Sequence, residues 1–333
     1  MQRVLVSGGA GYIGSHAARA LRRAGHDVVI YDNLSTGFRR LAHGFELVEG
    51  DIGNAVTLRP VLARVDAVMH FAAHAYVGES VVNPRKYFRN NVQAALEFLN
   101  AALDAGIRCF VFSSSCAVYG IPEQLPITER TLTEPVNPYG ESKLFFENAL
   151  EAYDWAYGLR SVRLRYFNAA GADESGETGE LHHPETHLIP LALEAAMGTG
   201  RELQINGSDY PTRDGTCIRD YIHVSDLAEA HVQALRYLEG GGDSVALNLG
   251  TGKGYSVLEI VQAVESITGL PMRGSIGPRR PGDPPVLVAN PGEARRVLGW
   301  KAQRDLVDMV ASAWTWMVKT TNSHIARGIR RAG

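Results

Sequence analysis

The stretch NPYGESKL at residues 137–144 places a lysine four residues after a tyrosine, in a chain with 13 tyrosines but only five lysines against 28 arginines. Positions i and i+4 share one face of a helix, so Tyr139 and Lys143 can act on the same point in space. A free tyrosine, with a pKa near ~10, is a poor base at neutral pH, and lowering it by about three units takes roughly 4 kcal/mol of differential interaction. A neighbouring ammonium favours the phenolate and can supply part of that. Ser115, the last of the run SSS at 113–115, could hydrogen-bond the same substrate hydroxyl and relay its proton. Taken singly, Ser115 reads as a strand-end cap and Tyr139 as core packing. Together they read as one catalytic unit, provided that the chain also binds an electron carrier beside them.

The segment VSGGAGYIG at 6–14 offers that binding site. Gly8, Gly11 and Gly14 recur at three-residue intervals, directly after an apolar strand and at the opening of a helix. Glycines there permit a tight turn, close approach of a pyrophosphate and close helix–strand packing, with the helix N-terminus facing the anion. Asp32 ends the second strand, 18 residues after Gly14. A carboxylate at that point can bond both ribose hydroxyls and would repel a 2′-phosphate, so NAD is expected rather than NADP; simple capping of the strand is the alternative. Asp51 ends the third strand, where it could meet an adenine amine or merely cap. HFAA (70–73) closes the fourth strand at the same edge. An oxidised nicotinamide ring held there would add a second positive charge near Tyr139.

These residues need a sheet to position them. RVLVSG (3–8), DVVIYD (27–32), FELVEGD (45–51), DAVMHFAA (66–73), RCFVFSSS (108–115) and RSVRLRYFN (160–168) read as buried parallel strands. Helical patterns at 13–24, 54–64 and 84–105, and the helix carrying Tyr139 and Lys143, alternate with them. That alternation predicts a doubly wound parallel (Rossmann) α/β sheet over 1–170. After Gly171 a polar, glycine-rich stretch leads into a smaller α/β substrate lobe over 171–319, with helices at 188–198, 256–268 and near 303–318. The segment from about 219 to 240 is expected to return to the first lobe, and 320–333 to form a mobile tail.

Composition narrows the class. Hydrophobic residues make up 45% and charged residues 21% of 333, ordinary for a globular protein with a sizeable core. With 33 basic and 36 acidic residues, neither nucleic acid nor a membrane surface is the expected partner. No apolar run approaches the ~18 residues of a spanning helix. Three cysteines, Cys109, Cys116 and Cys217, form no disulfide framework and no metal spacing, and a cytoplasmic location is the default.

The glycine loop, SSS, YGESK, LRYFNAAGA (164–172), RDYIHVSDLAEAH (219–231) and PRRPGD (278–283) together resemble the extended short-chain dehydrogenase/reductase family and, within it, the UDP-glucose (galactose) 4-epimerases. The likeness runs to about residue 319. It implies that Tyr139 takes the proton of the sugar 4-hydroxyl while hydride passes from C4 to tightly bound NAD and returns to the opposite face. Lys143 would hold the nicotinamide ribose. Cofactor contacts would come from Gly8, Gly11, Tyr12, Ile13, Gly14, Asp32, Asn33, Asp51, Ile52, Phe71, Ala72, Ala73, Asn90, Ser113, Tyr166 and Phe167. On the substrate side, Arg219 and Arg280 suit the diphosphate, since guanidinium binds phosphate bidentately; a surface ion pair is the plain reading of either. Asp283 would take the uridine ribose and Asn168 a point near the phosphate. His187, Leu188, Gln204, Ile205 and Asn206 would line the nucleotide end, and Leu287 the wall of the sugar pocket. The resemblance also implies a homodimer through helices near 84–105 and 138–157.

The chain departs from that pattern in two places. Ala75 stands where some epimerases carry a lysine near the cofactor, so weaker retention of NAD is expected. His187 stands where some relatives have asparagine. HHPETH (182–187) has the look of a metal run, but Pro184 interrupts any helix that would put His183 and His187 on one face, and no metal is expected. Rival functions are epimerases of UDP-xylose, UDP-glucuronate or UDP-N-acetylglucosamine, a 4,6-dehydratase, and a non-enzymatic dinucleotide sensor. A dehydratase would be expected to carry an Asp-Glu pair just after the strand-end serines, where this chain reads SSSCAVYG. A sensor has no need of Tyr139 and Lys143.

Overall fold

A computed structural model describes residues 1–199, 202–280 and 283–331, with side chains to residue 321. Pro281 and Gly282 of the PRRPGD segment therefore lie outside the described residues. In chain order, β1 (Arg3–Ser7) turns through the glycine loop into α1 (Tyr12–Arg23), followed by β2 (Asp27–Asp32), β3 (Glu46–Glu49), α2 (Ala55–Leu62), β4 (Ala67–His70), α3 (Val77–Val82) and α4 (Pro84–Tyr87). Then come α5 (Ala95–Asp104), β5 (Cys109–Ser115), α6 (Pro138–Tyr157), β6 (Arg160–Tyr166), β7 (Asn168–Ala170), α7 (Leu188–Met197), β8 (Leu203–Asn206), β9 (Ile218–His223) and α8 (Val224–Glu239). The chain closes with β10 (Val245–Leu249), β11 (Gly254–Ser256), α9 (Val257–Thr268), β12 (Gly274–Gly277), β13 (Val286–Leu287), α10 (Gly292–Leu298) and α11 (Leu306–Arg331).

Seven strands form one parallel sheet in the order β10-β6-β5-β4-β1-β2-β3. Its central strands are buried on both faces, which is why they read as unbroken apolar runs. One face packs on α1 and α8 through Ala18, Leu21, Leu227 and Leu235. The other packs on α2, α5 and α6 through Leu58, Phe98, Phe146 and Leu150. The strand order reverses between β1 and β4, and a ligand crevice opens at such a switch point. A separate core joins α7, α9 and α11 through Ile189, Leu193, Ile260 and Met309. Ser256 and Glu259 start α9 with a reciprocal capping box.

Three features differ from the sequence reading. The predicted strand 160–168 breaks at Phe167, whose N–H donates to Leu249 O (3.3 Å), and β7 leaves to pair with β9 in the smaller sheet. The predicted helix 84–105 is interrupted by a π-helical stretch, Phe88–Ala94. That wide turn brings Asn91 inside, where it accepts from His74 N (2.9 Å) and donates to His74 O (2.9 Å) and Ser142 Oγ (3.1 Å). The C-terminal helix, expected near 303–318, runs on through Arg331; no proline is present there to stop it, and 332–333 lie outside the described residues. Among the described residues no helix is long and apolar enough to cross a membrane.

Candidate active site

The crevice is shaped by atoms that leave no room for side chains. Gly8 has φ +74°, and a Cβ there would sit 2.6 Å from Ala72 N, so the ends of β1 and β4 touch. A Cβ on Gly14 would lie 2.3 Å from Gly8 O. Gly11 opens α1 without a side-chain cap and with no acid in the first turn, so the first N–H groups remain open to an anion. The phenol of Tyr12 is engaged elsewhere, donating to Gly171 O (2.6 Å), and Ile13 packs against the core. Both residues thus have only backbone N–H groups to offer a pyrophosphate.

At the end of β2, buried Asp32 accepts from Ala10 N (2.9 Å) and Leu34 N (2.8 Å). Burial raises its pKa, and those two bonds oppose the rise. The two bonds fix the carboxylate at the end of β2. Asp51 binds Gly53 N (2.9 Å) and Asn33 Nδ2 (2.9 Å), so it caps its own turn, and Ile52 beside it is buried. A helix N-terminus for pyrophosphate and a fixed carboxylate for ribose are the donor set a dinucleotide requires. Asn90 donates to Asn91 Oδ1 (3.0 Å), and Asn91 is the buried member of the pair.

The catalytic candidates converge at the end of β5. Asn137 caps α6 by accepting from Gly140 N (2.9 Å), and Pro138 takes the first helical position. Tyr139 is thereby fixed in the first turn and Lys143 one turn on, both buried. Lys143 Nζ donates to Ser113 O (2.8 Å) and lies 5.8 Å from the centre of the Tyr139 ring. Ser113 Oγ is hydrogen-bonded to Tyr166, and Ser115 Oγ accepts from Ala117 N (3.2 Å). Burial pushes Tyr139 up to about 12, opposed by a hydrogen bond with Ser115. It also brings Lys143 down to about 7, opposed by Glu147. The sequence reading has Lys143 lowering Tyr139; here burial sets the direction of the Tyr139 shift, and the ammonium donates to Ser113 O.

Residues 4–250 match the model of the NAD dependent epimerase/dehydratase family. The chain belongs to this family. It is 52% identical over 325 residues to the UDP-glucose 4-epimerase of Rhizobium leguminosarum bv. trifolii, covering 97% of this chain and 99% of that protein. Its fold is similar to the crystal structure of UDP-glucose 4-epimerase from Brucella ovis in complex with NAD (TM-score 0.93, 50% identity, 95% of this chain and 98% of that one). It is likewise similar to the Bifidobacterium longum enzyme in complex with NAD+ and UDP (TM-score 0.91, 40% identity, 96% and 99%).

In this epimerase/dehydratase-family chain the substrate-side candidates gather around β9 and the segment before β13. Arg219 donates to Ile218 O (2.7 Å) and pairs with Asp283, so these two bind each other. With its amide turned to suit, Asn206 accepts from Arg280 Nε (3.1 Å) and Nη2 (3.2 Å). Along β8 the alternation sends Ile205 into the second core and leaves Gln204 exposed. Asn168 is paired with Tyr221 across β7 and β9, and Leu188 opens α7 against the second core. Leu287 lies opposite Arg219 and packs with Val118, Tyr119 and Phe167.

Sequence reasoning missed the support behind this site. Buried Arg165 donates from Nε to both oxygens of Glu147 (2.9 and 3.0 Å) and from Nη1 to the Tyr119 hydroxyl (2.9 Å). Ser114 also donates to Glu147, and Tyr119 to Asn248 Oδ1 (2.8 Å). Glu147 is one turn beyond Lys143, so the usable signal was a charged residue on the inner face of α6.

Proposed function

We propose that this chain interconverts UDP-glucose and UDP-galactose by inverting C4 of the sugar, with NAD as a resident hydride carrier. The observation that carries the reading is the meeting of Tyr139, Lys143 and Ser115, buried at the edge of a crevice whose donors fit a dinucleotide. The names of full-length relatives support the substrate.

Tyr139 accepts the proton of the 4-hydroxyl, and Ser115, hydrogen-bonded to it, orients that hydroxyl and relays the proton. Bound NAD supplies an acceptor that takes the C4 hydrogen and returns it, and its positive ring adds charge that favours the phenolate. Lys143, anchored on Ser113 O, holds the nicotinamide ribose. Arg219 and Arg280 grip the diphosphate, Asp283 the uridine ribose, and Asn168 a point near the phosphate. Because binding energy is concentrated on UDP, the 4-keto sugar is free to turn and present its other face. On this reading the large sheet with α8 carries the cofactor and the smaller lobe the nucleotide sugar. Incubating the purified protein with UDP-galactose and no added NAD tests this: UDP-glucose should appear without NADH accumulating, and a stoichiometric rise of NADH would count against it.

Leu287 sets the sugar range in this proposal. An acetamido group forced against it would meet overpacking of roughly 1–3 kcal/mol, about one to two orders of magnitude in kcat/KM. Leu287→Gly should therefore raise activity on UDP-N-acetylglucosamine relative to UDP-glucose. An unchanged ratio in a folded variant removes Leu287 from that wall.

The enzyme works as a cytoplasmic homodimer in this account. Val81, Val82, Phe88, Phe145 and Tyr157 are exposed, and Trp155 is 94% exposed, along α3, the π-turn and α6. Apolar surface of this extent suits burial against a second copy.

A further inference from the structure

Residues 180–187 carry a side-chain cluster that the proposed reaction leaves unused. Pro184 does keep His183 and His187 off a shared helix face, but the pair that meets is another. The rings of His182 and His187 lie 5.0 Å apart, and the ligating atoms of Glu180, His182, Glu185 and His187 all fall within 4.8 Å of one another. His182 Nδ1 is 3.2 Å from Glu180 Oε1 and 3.7 Å from Glu185 Oε2. His187 Nδ1 is 2.8 Å from Glu180 Oε1 and 3.0 Å from Glu185 Oε1. A tetrahedron with zinc-type bonds of ~2.0–2.1 Å has edges of about 3.3 Å, and the separations from Glu180 Oε1 and Glu185 Oε2 bracket that length.

A second observation points the same way. The Glu180 side chain is only 8% exposed. Among the described residues neither Glu180 Oε1 nor His182 Nδ1 has a hydrogen-bond partner, although both are shut off from solvent. At 3.2 Å, then, they are close without being aimed at each other. A buried polar atom left in that state costs ~1–3 kcal/mol, and a shared cation would satisfy both. Glu185 Oε1 already accepts from Thr186 N (2.7 Å) and His187 N (2.8 Å), which steadies the carboxylate and leaves Oε2 to ligate. The rings of Tyr12 and Tyr76 stand edge-on to His182 at 6.3 and 5.9 Å and wall the cluster.

We propose that Glu180, His182, Glu185 and His187 form a binding site for a divalent transition-metal ion of the zinc type. Two imidazoles and two carboxylates suit that ion, and four protein ligands make a closed, structural site. The ion would pin the loop before α7 beside the glycine turn, to which Tyr12 belongs. His187 is also the residue expected at the nucleotide end of the substrate site, so the test reads metal binding and not turnover.

The test uses the full chain, stripped with a chelator and dialysed, then titrated with zinc chloride against a chromophoric chelator and separately with cobalt chloride. One equivalent should bind, with the intense visible absorption of tetrahedral cobalt. His182→Ala and the near-isosteric Glu180→Gln should each weaken binding more than tenfold, with far-UV circular dichroism showing both folded. His183→Ala, one position away, should bind like the parent. Absence of a stoichiometric site, a pale octahedral cobalt spectrum, or unchanged affinity in folded Glu180→Gln would each overturn the proposal and leave a cluster held by protons alone.

Discussion

Replacing Tyr139 by phenylalanine is expected to lower kcat for UDP-galactose by about 10²–10⁴, the usual contribution of a positioned acid–base group. The ring would stay in place: it is buried, lies edge-on to Tyr87 at 6.5 Å, and sits in a first turn fixed by Asn137 and Pro138. Only the hydroxyl and its hydrogen bond with Ser115 are lost, a net ~0.5–1.5 kcal/mol of stability. KM should change little, because the binding energy is assigned to UDP. Steady-state kinetics on a variant shown to be folded will check this. Turnover near the parent value would remove Tyr139 from the chemistry.

The second large effect is on stability. Glu147 is 1% exposed, and its charge is balanced by Arg165 through bonds at 2.9 and 3.0 Å. Arg165→Leu would leave that carboxylate buried with Ser114 as its remaining side-chain donor, at a cost of ~3–5 kcal/mol. Adding Glu147→Leu should recover much of the loss, since well-packed apolar residues often replace a buried pair without penalty. Urea unfolding of both variants measures this. A loss below about 1 kcal/mol in the single variant would mean that the pair does not hold the base of the site together.

Local order made much of the cofactor half legible. The glycine spacing, the carboxylate at the end of β2 and the Tyr–Lys pair are short-range patterns whose geometry follows from one turn or one helix. What escaped the sequence depends on contacts distant in the chain or on a shifted register. The strand β10 joins the large sheet beside β6 only after β7, α7, β8 and β9 have been laid down outside it. Beside Asn90, a π-turn and not an α-turn points Asn91 inward, which no local pattern announces. Arg219 and Asp283 are 64 residues apart, and their pairing is a contact that no local pattern announces. Likewise, HHPETH hid its pairing because a turn brings His182, not His183, to His187.

The account stands most directly on where the C4 hydrogen goes. UDP-galactose carrying deuterium at C4 should be converted to UDP-glucose with the label still at C4 and none released to water, since hydride is taken and returned at one carbon. Label found at C6 would mark a dehydratase, and label lost to solvent would mark simple proton exchange; either result would contradict the central claim.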